Sequence, residues 1–271
     1  MRLINRKPGP VLALFLMVLP FLAVLAAYSV ASDIRRAENP RDKLLPAPAA
    51  IVETAGRLMT QPDRRSGRLL FWNDTVVSLE RLAKGVGYAA LIGLVLGLAI
   101  GLVPFVRAAL AGFVSVVSMV PPLAILPILF LAVGLGEQSK ITLIAIGITP
   151  FLIRDLSQRV LEIPAEMMVK AQTLGASTLV IALRVALPQV LPRLIQSVRL
   201  SLGPAWLFLI ASEAIASDAG LGYRIFLVRR FLAMDVILVY VVWITLLAFL
   251  IDYLLKKLGE VAFPWYGRGG L

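Results

Sequence analysis

Long uncharged stretches alternate with short charged ones along most of this chain. A helix that crosses a membrane must cover about 30 Å of hydrocarbon, which takes about 20 predominantly apolar residues. Uncharged stretches of about that length or longer therefore predict membrane-spanning helices. The stretches that qualify, one of them slightly shorter, are 8–32, 85–106, 108–136 and 236–251.

Two further apolar stretches are shorter or carry charges. The first is 141–153, and the second is 194–217, which contains Arg199 and Glu213. Counting both gives six spans, of which 141–153 is the least well defined. The predicted fold class is therefore all-α: a polytopic membrane helical bundle of about six spans.

The stretch 108–136 is too long for one straight crossing, since it would extend about 43 Å at ~1.5 Å per residue. Pro121, Pro122 and Pro127 lie inside it. Adjacent prolines remove backbone donors and clash with the preceding turn, so we predict a helix, a break near 119–122 and a second helix. Backbone freed at that depth must face protein or water. Pro121 and Pro122 thus either line a translocation path or form a structural kink.

The rest of the chain divides around these spans. Residues 1–32 form an N-terminal tip and a first helix, whose apolar run is longer than that of a signal peptide. We expect a retained anchor, with cleavage after 29–31 as the alternative. Residues 33–73 are predicted to be an extracytoplasmic connector with a helix over 49–59. A core membrane domain over 74–258 and a tail over 259–271 complete the chain.

Composition excludes several functions. The chain is 59% hydrophobic and 16% charged, which argues against a soluble enzyme. It has no Cys and no His, so thiol nucleophiles, imidazole bases and most zinc or copper sites are ruled out. No phosphate-binding G-x-x-x-x-G-K-[ST] motif occurs. We therefore expect no catalytic residue, cofactor or metal in this chain. The net charge of +11 is assigned to lipid headgroups rather than nucleic acid.

The polar segment 154–193 carries the strongest functional signal. Pro164 suits the start of a short helix, and Gly175 suits its left-handed end. Such a helix is too short to be stable alone and too apolar on one side to lie bare in water. It is expected to occupy a groove on a partner. Its apolar stripe is Met167, Ala171 and Leu174, with Glu166 and Lys170 beside it.

This segment resembles the cytoplasmic EAA loop of ABC importer permeases, E-A-A-x3-G-x9-I-x-L-P. Ala171, Gly175, Leu187 and Pro188 fit the pattern, whereas Val169 and Lys170 occupy its first two positions, so the Glu is absent. Further segments resemble the nitrate, sulfonate and taurine branch of those permeases, over roughly 72–255. They are 78–81 with Gly93, Gly97 and Gly101; 120–127 with 134–140; and 212–214 with 219–223.

The resemblance implies a type I ABC importer permease in the bacterial inner membrane, with both termini inside. It implies partners that hold the ATP and Mg: two cytosolic ABC ATPase subunits. It also implies a second permease subunit, identical or different, and an extracytoplasmic binding protein that delivers a small anion such as nitrate, a sulfonate or taurine. The residues expected to dock the ATPase are Glu166, Met167, Lys170, Ala171, Leu174, Gly175, Leu187 and Pro188.

A gradient-driven secondary carrier is the alternative function. Against it, the six predicted spans show no inverted repeat and no cluster of intramembrane acids that could couple to protons or cations. Co-purification with an ATPase distinguishes the two.

Two sets of residues inside the predicted spans have two interpretations each. Gly93, Gly97 and Gly101 form a small-residue face that packs either within this chain or against another subunit. Arg199 and Glu213 either line the translocation path, together with Pro121 and Pro122, or reach the two membrane interfaces.

Overall fold

The computed structural model describes residues 8–39, 42–63 and 66–266. The predicted tip before residue 8 and the end of the predicted tail lie outside these ranges. A five-residue π-helical segment, Ala182–Ala186, joins two of the helices. The α-helices in the described part of the chain are α1 (Pro10–Glu38), α2 (Pro48–Thr60), α3 (Leu70–Leu102), α4 (Pro104–Val117), α5 (Pro122–Val133), α6 (Glu137–Leu161), α7 (Ala165–Thr173), α8 (Thr178–Ile181), α9 (Leu187–Ile215), α10 (Leu221–Arg229) and α11 (Met234–Ala262).

The long apolar helices account for the predicted spans. Helices α1, α3, α6 and α11 are each long and apolar enough to cross a membrane, as is the continuous helical run over 178–215. Helices α4 and α5 pass the same test as a pair bent by 97°. The break lies at the residues just before Pro122 and confirms the break predicted near 119–122.

Close contacts between α3 and α6 show that these two helices run parallel. Gly85 lies against Ile144, and farther along both helices Gly101 lies against Val160. Partner positions thus advance together along the two helices. Because parallel neighbours need a connection that returns to the starting side, the bent pair α4 and α5 must traverse the bundle as one broken span. The prediction of six spans is confirmed in this form.

Helix α3 begins well before the uncharged stretch that predicted it. It starts at Leu70 rather than near 85, and α6 likewise starts at Glu137 rather than 141. The added turns contain Asp74, Arg81 and Lys140, which are all buried. The uncharged stretches underestimate the lengths of these helices. The charged residues find partners inside the bundle and therefore do not end the helix.

The bundle has two distinct ends, which we call the α7 end and the α2 end. Helix α9 runs antiparallel to α6, since Ser197 bonds Asp155 near the α7 end and Phe208 packs on Gly147 farther along. Helix α11 starts at the α2 end, where Thr54 Oγ1 donates to Asp235 Oδ2 over 2.8 Å. These contacts place α9 antiparallel to α6 and start α11 at the α2 end.

The main hydrophobic core lies between α3, α6, α9 and α11. Helix α1, by contrast, has no buried residue in its most apolar window. Its second half is tied to the connector at the α2 end, where Tyr28 Oη donates to the Pro46 carbonyl over 2.7 Å and Ser32 Oγ to the Leu45 carbonyl over 2.9 Å. Helix α1 therefore stands at the edge of the bundle and presents apolar side chains all round.

Candidate functional site

Helix α7 is the short helix predicted in the polar segment. It covers Ala165–Thr173, and Pro164 precedes it in an extended conformation as the N-cap, one position earlier than a first-turn residue. Glu166 lies in the first turn and Lys170 in the last. Each charge is thus at the helix end where the macrodipole stabilises it.

Gly175 ends the helix as predicted, with a φ of +80°. The Gly175 N–H donates to the Gln172 carbonyl over 2.9 Å, and the Ala176 N–H donates to the Ala171 carbonyl over 3.0 Å. This pair of bonds is the Schellman arrangement, which needs a left-handed residue between helix and loop. A residue with a Cβ is strained there, so Gly175 fixes the direction in which the chain leaves α7.

No residue of α7 is buried. Met167 is 43% exposed, and Leu174, the C-cap residue of α7, is 87% exposed. Ala171, the third member of the predicted apolar stripe, is half-buried. Apolar side chains that project from a short helix at one end of a bundle form a surface that a partner can cover.

The opposite side of α7 rests on the bundle. Met168 and Gln172 face a cavity of about 510 Å³ whose other walls include Pro104, Val160 and Ile181, from α4, α6 and α8. The helix therefore lies across the α7 end instead of extending away from it.

After the non-helical residues 174–177, the chain from α8 into α9 is continuous helix. Ser177 Oγ accepts the Val180 N–H over 3.4 Å at the start of α8. A π-helical turn follows, in which the Leu187 N–H donates to the Ala182 carbonyl five residues back. Pro188, in the first turn of α9, has no N–H and would crowd the carbonyl four residues earlier, and the widened turn accommodates it. Leu187 and Pro188 thus mark the joint between the loop and the span.

The described end of the C-terminal tail packs beside this joint. The Arg193 guanidinium lies 4.8 Å from the centre of the Tyr266 ring. Tyr266 and Trp265 line a cavity together with Arg159 and Glu162, just before α7. Burial raises the pKa of the Tyr266 hydroxyl. The sequence predicts a tail over 259–271 in which Trp265 and Tyr266 are interfacial anchors or packing residues, and it does not predict the contact with Arg193.

The structure separates the four residues predicted for the translocation path. Pro121 and Pro122 lie together at the α4–α5 break, where Pro122 lines a cavity. Arg199 instead bonds Asp252 on α11, with Nε–Oδ1 and Nη2–Oδ2 distances of 2.8 and 2.9 Å. Glu213 is fully buried at the α2 end. Arg199 and Glu213 thus have structural partners, and the role of all four residues in the translocation path stays a prediction.

Glu213 accepts hydrogen bonds from two elements, α3 and α10. Its Oε1 atom accepts from Ser78 Oγ at 2.8 Å and from Arg81 Nη1 at 2.7 Å, and its Oε2 atom accepts from the Gly222 N–H at 2.8 Å. Arg81 extends the network to Glu137 through two bonds of 2.5 Å. One carboxylate and one guanidinium therefore join α3, α6, α9 and the start of α10.

A second ion pair continues this network. Asp74 Oδ2 accepts from Arg224 Nε at 2.7 Å, and Asp74 Oδ1 accepts the Gly220 N–H at 3.0 Å. Sequence reasoning did not pair any of these groups. The available signal was the rule that a charge inside a span needs a partner, together with the helical spacing of Asp74, Ser78 and Arg81 on one face of α3.

The glycine face of α3 packs within this chain. A Cβ added at Gly93 would lie 2.7 Å from Leu152 Cβ, and one added at Gly97 would lie 2.8 Å from Leu156 Cβ. Both partners are on α6. Of the two interpretations of this face, packing within the subunit is the one that the structure shows.

A six-span bundle with one exposed helix across its end defines a multi-pass helical membrane protein. Residues 89–260 match the model of the family described as binding-protein-dependent transport system inner membrane component. The chain belongs to this family. It is a transport permease subunit of an ABC transporter and not an enzyme.

Curated relatives agree with this family. The chain is 36% identical to the taurine transport system permease protein TauC of Escherichia coli (strain K12) over 73% of this chain and 72% of that protein. It is 29% identical to the putative aliphatic sulfonates transport permease protein SsuC of the same organism over 90% and 89%. It is 32% identical to the bicarbonate transport system permease protein CmpB of Synechococcus elongatus (strain ATCC 33912 / PCC 7942 / FACHB-805) over 67% of each.

Solved structures agree with the fold. An inward-facing MetNI methionine ABC transporter matches with a TM-score of 0.64 and 20% identity, over 71% of this chain and 95% of that one. A second crystal form of MetNI gives a TM-score of 0.62. The predicted type I importer permease fold is confirmed.

Proposed function

We propose that this chain is the translocation subunit of an ATP-driven importer for a small solute with an anionic head group. Relatives named for taurine, aliphatic sulfonates and bicarbonate support this cargo class, since each of those solutes carries a sulfonate or a carbonate oxyanion. Nitrate is a further candidate. An extracytoplasmic binding protein delivers the solute, in keeping with the family description.

The observation that carries the proposal is the exposed helix α7. It holds projecting apolar side chains, Met167 and Leu174, next to the polar Glu166 and Lys170, and none of its residues is buried. A cleft on an ABC ATPase subunit is the partner that we assign to this surface. ATP and Mg are bound and consumed there, not in this chain.

The connection from α7 to the spans suits it for transmitting motion. Gly175 fixes the exit from α7, and the helical run through Leu187 and Pro188 leads directly into α9. Closure of the ATPases moves α7 and shifts the membrane helices between inward- and outward-open states, because a ligand that binds one state better moves the population toward it.

This assignment sets the orientation and the assembly. The α7 end faces the cytoplasm, the connector and α2 face the outside, and both termini lie inside. The membrane is the bacterial plasma membrane. A second permease subunit, either a second copy of this chain or a related one, completes the path, and a second ATPase docks on it.

The test replaces Gly175 with valine in a permease co-expressed with its ATPase subunit. Valine at a left-handed position costs about 1–2 kcal/mol, so α7 abandons its docking geometry and ATPase recovery falls by about 5- to 30-fold. The amount of permease in the membrane stays the same. The measurement is the ATPase-to-permease ratio after affinity purification through the permease.

Gly67→Val is the matched control. Gly67 also has a positive φ, +66°, and a Cβ meets nothing within 4 Å at either glycine. It lies in the connector just before α3, at the α2 end, so this variant carries a similar strain but keeps normal ATPase recovery. Equal ATPase recovery with Gly175→Val and with the wild type would contradict docking through α7.

A further inference from the structure

A cavity of about 590 Å³ lies beside the α4–α5 break, and we infer its role on the basis of the proposed function. Val120 and Pro122 form its wall at the break, Ile146 and Pro150 contribute from α6, and Phe208 contributes from α9. The volume is typical of a small-molecule site.

Prolines remove helical hydrogen-bond donors on two sides of this cavity. Pro121 and Pro122 have no N–H at the break between α4 and α5. Pro150 lies inside α6, so the carbonyl of Ile146, four residues earlier, has no helical donor. In a membrane-spanning bundle such groups are tolerated where they face protein or water. The α4–α5 break and Pro150 of α6 therefore line the same cavity.

Arg154 brings a positive charge to this cavity. Its Nη1 atom donates to Ser118 Oγ over 2.9 Å. Ser118 is the C-cap residue of α4, at the start of the break. No ion pair within 4.0 Å involves Arg154 in the described part of the chain, whereas Arg159, one and a half turns later, lies 3.0 Å from Glu162. A guanidinium has five N–H donors, so Arg154 keeps donors available for a ligand.

One carboxylate, that of Asp155, also lines the cavity. It accepts a hydrogen bond from Ser197 Oγ on α9 and lies 3.8 Å from the Arg159 guanidinium. Its charge is therefore already engaged by groups other than Arg154. The Gln158 amide adds a neutral polar group to the lining. The cavity presents a net attraction for an anion at Arg154.

We propose that this cavity is a solute-binding station of the translocation path, and that Arg154 and Ser118 recognise the oxyanion head group of the cargo. A guanidinium matches the paired oxygens of a sulfonate or carboxylate in a forked arrangement. The apolar wall at Val120, Pro122 and Phe208 suits a short aliphatic remainder. Arg154 lies in the last turns of α6, so the station is close to the α7 end, where the proposed function releases the solute.

Anionic oxygens could reach Arg154 from a second source, the phosphate of an inner-leaflet phospholipid. The shared chemistry is a small oxyanion held by a guanidinium. Residues of α4, α5, α6 and α9 line the cavity together with the break, and walls from four helices favour a small solute over a headgroup at the membrane surface. The experiment below separates the two sources.

The experiment measures ATP-driven uptake of radiolabelled taurine, ethanesulfonate and nitrate by the complete transporter in proteoliposomes. Arg154→Gln removes charge-assisted hydrogen bonds to the oxyanion, and we expect sub-saturating uptake to fall by about 10- to 100-fold. Arg154→Lys keeps the charge but loses the fork, so uptake falls less. Lys256→Gln is the matched control, since it removes one exposed cation of α11 near the same end of the bundle, and it leaves uptake unchanged.

Each outcome bears on a different claim. Wild-type uptake of at least one probe with a large loss in Arg154→Gln, equal in vesicles of phosphatidylcholine alone and with phosphatidylglycerol added, supports the station. A loss confined to vesicles with phosphatidylglycerol overturns it in favour of headgroup binding. Normal uptake by Arg154→Gln overturns the station and leaves the proposed function standing. No wild-type uptake of any probe contradicts the proposed cargo class, and the station falls with it.

Discussion

At the scale of single residues, ion pairs and hydrogen bonds explain how charged side chains are kept inside an apolar bundle. Glu213 is fully buried, and Arg81, 4% exposed, bridges it to Glu137. Taking such groups from water costs several kcal/mol per ion, about what close pairing and complete hydrogen bonding return. The intact network therefore contributes little net stability. Removal of one of its members, however, lowers the free energy of unfolding strongly.

Removal of one member tests this claim. Glu213→Ala leaves Arg81, Ser78 and the Gly222 N–H without their acceptor, so we expect the free energy of unfolding to fall by about 3–5 kcal/mol. The comparison is Glu80→Ala, which breaks an exposed pair with Lys84 and costs at most about 0.5 kcal/mol. Denaturant titration in detergent micelles measures both values. Similar losses in the two variants would show that burial of Glu213 has no energetic consequence.

At the scale of elements, the contact between α3 and α6 organises the bundle. Glycines at Gly85, Gly93, Gly97 and Gly101 recur on one face of α3 and let α6 approach so closely that a Cβ at any of them would lie within 2.8 Å of a side-chain atom of α6. Close packing of this kind replaces the hydrophobic effect, which supplies no force between helices in lipid.

Alanine substitution separates packing from helix propensity. Gly93→Ala forces a Cβ against Leu152 and lowers the free energy of unfolding by about 1–3 kcal/mol, as overpacking does elsewhere. Gly87→Ala, on the same helix, meets nothing within 4 Å and gains up to about 1 kcal/mol from the better helix former. The same titration in micelles compares them. If the Gly93 variant were as stable as the Gly87 variant, the close approach would be unimportant.

At the scale of the whole molecule, parallel packing of α3 and α6 determines the topology. It makes α4 and α5 a single broken crossing, so six crossings bring the start of α1 and the end of α11 to the α7 end. Charge counting alone did not decide the orientation, because Lys and Arg occur on both sides of the predicted spans.

The absence of cysteine permits a direct test of this topology. Glu53, on α2, and Lys170, on α7, are both exposed to solvent. Each can be replaced by a single cysteine, since the chain has no other. In intact spheroplasts a membrane-impermeant maleimide should label Glu53→Cys, and it should label Lys170→Cys only after permeabilisation. Labelling of Lys170→Cys before permeabilisation would place α7 outside and refute the orientation. In membranes with the ATPase bound, Lys170→Cys should be shielded relative to Glu53→Cys.

Individual elements show which features of the fold could be predicted from the sequence. The spans, the break before Pro122 and the end of α7 at Gly175 were predictable, because apolar length, missing donors and left-handed backbone are local properties. The partners of Arg199 and Glu213 were not, because Asp252 and Arg81 lie far from them in sequence and meet them only across helix interfaces.

The sequence by itself determined that this is a multi-pass helical membrane protein with a short exposed helix between its fourth and fifth spans. Hydrophobic length and helix-ending residues decide those features without reference to the rest of the chain. Only the tertiary structure decided which charges pair, that the glycine face serves α6, and that Arg154 and the proline break share one cavity. These depend on helix directions and on contacts between distant segments, which no local pattern encodes.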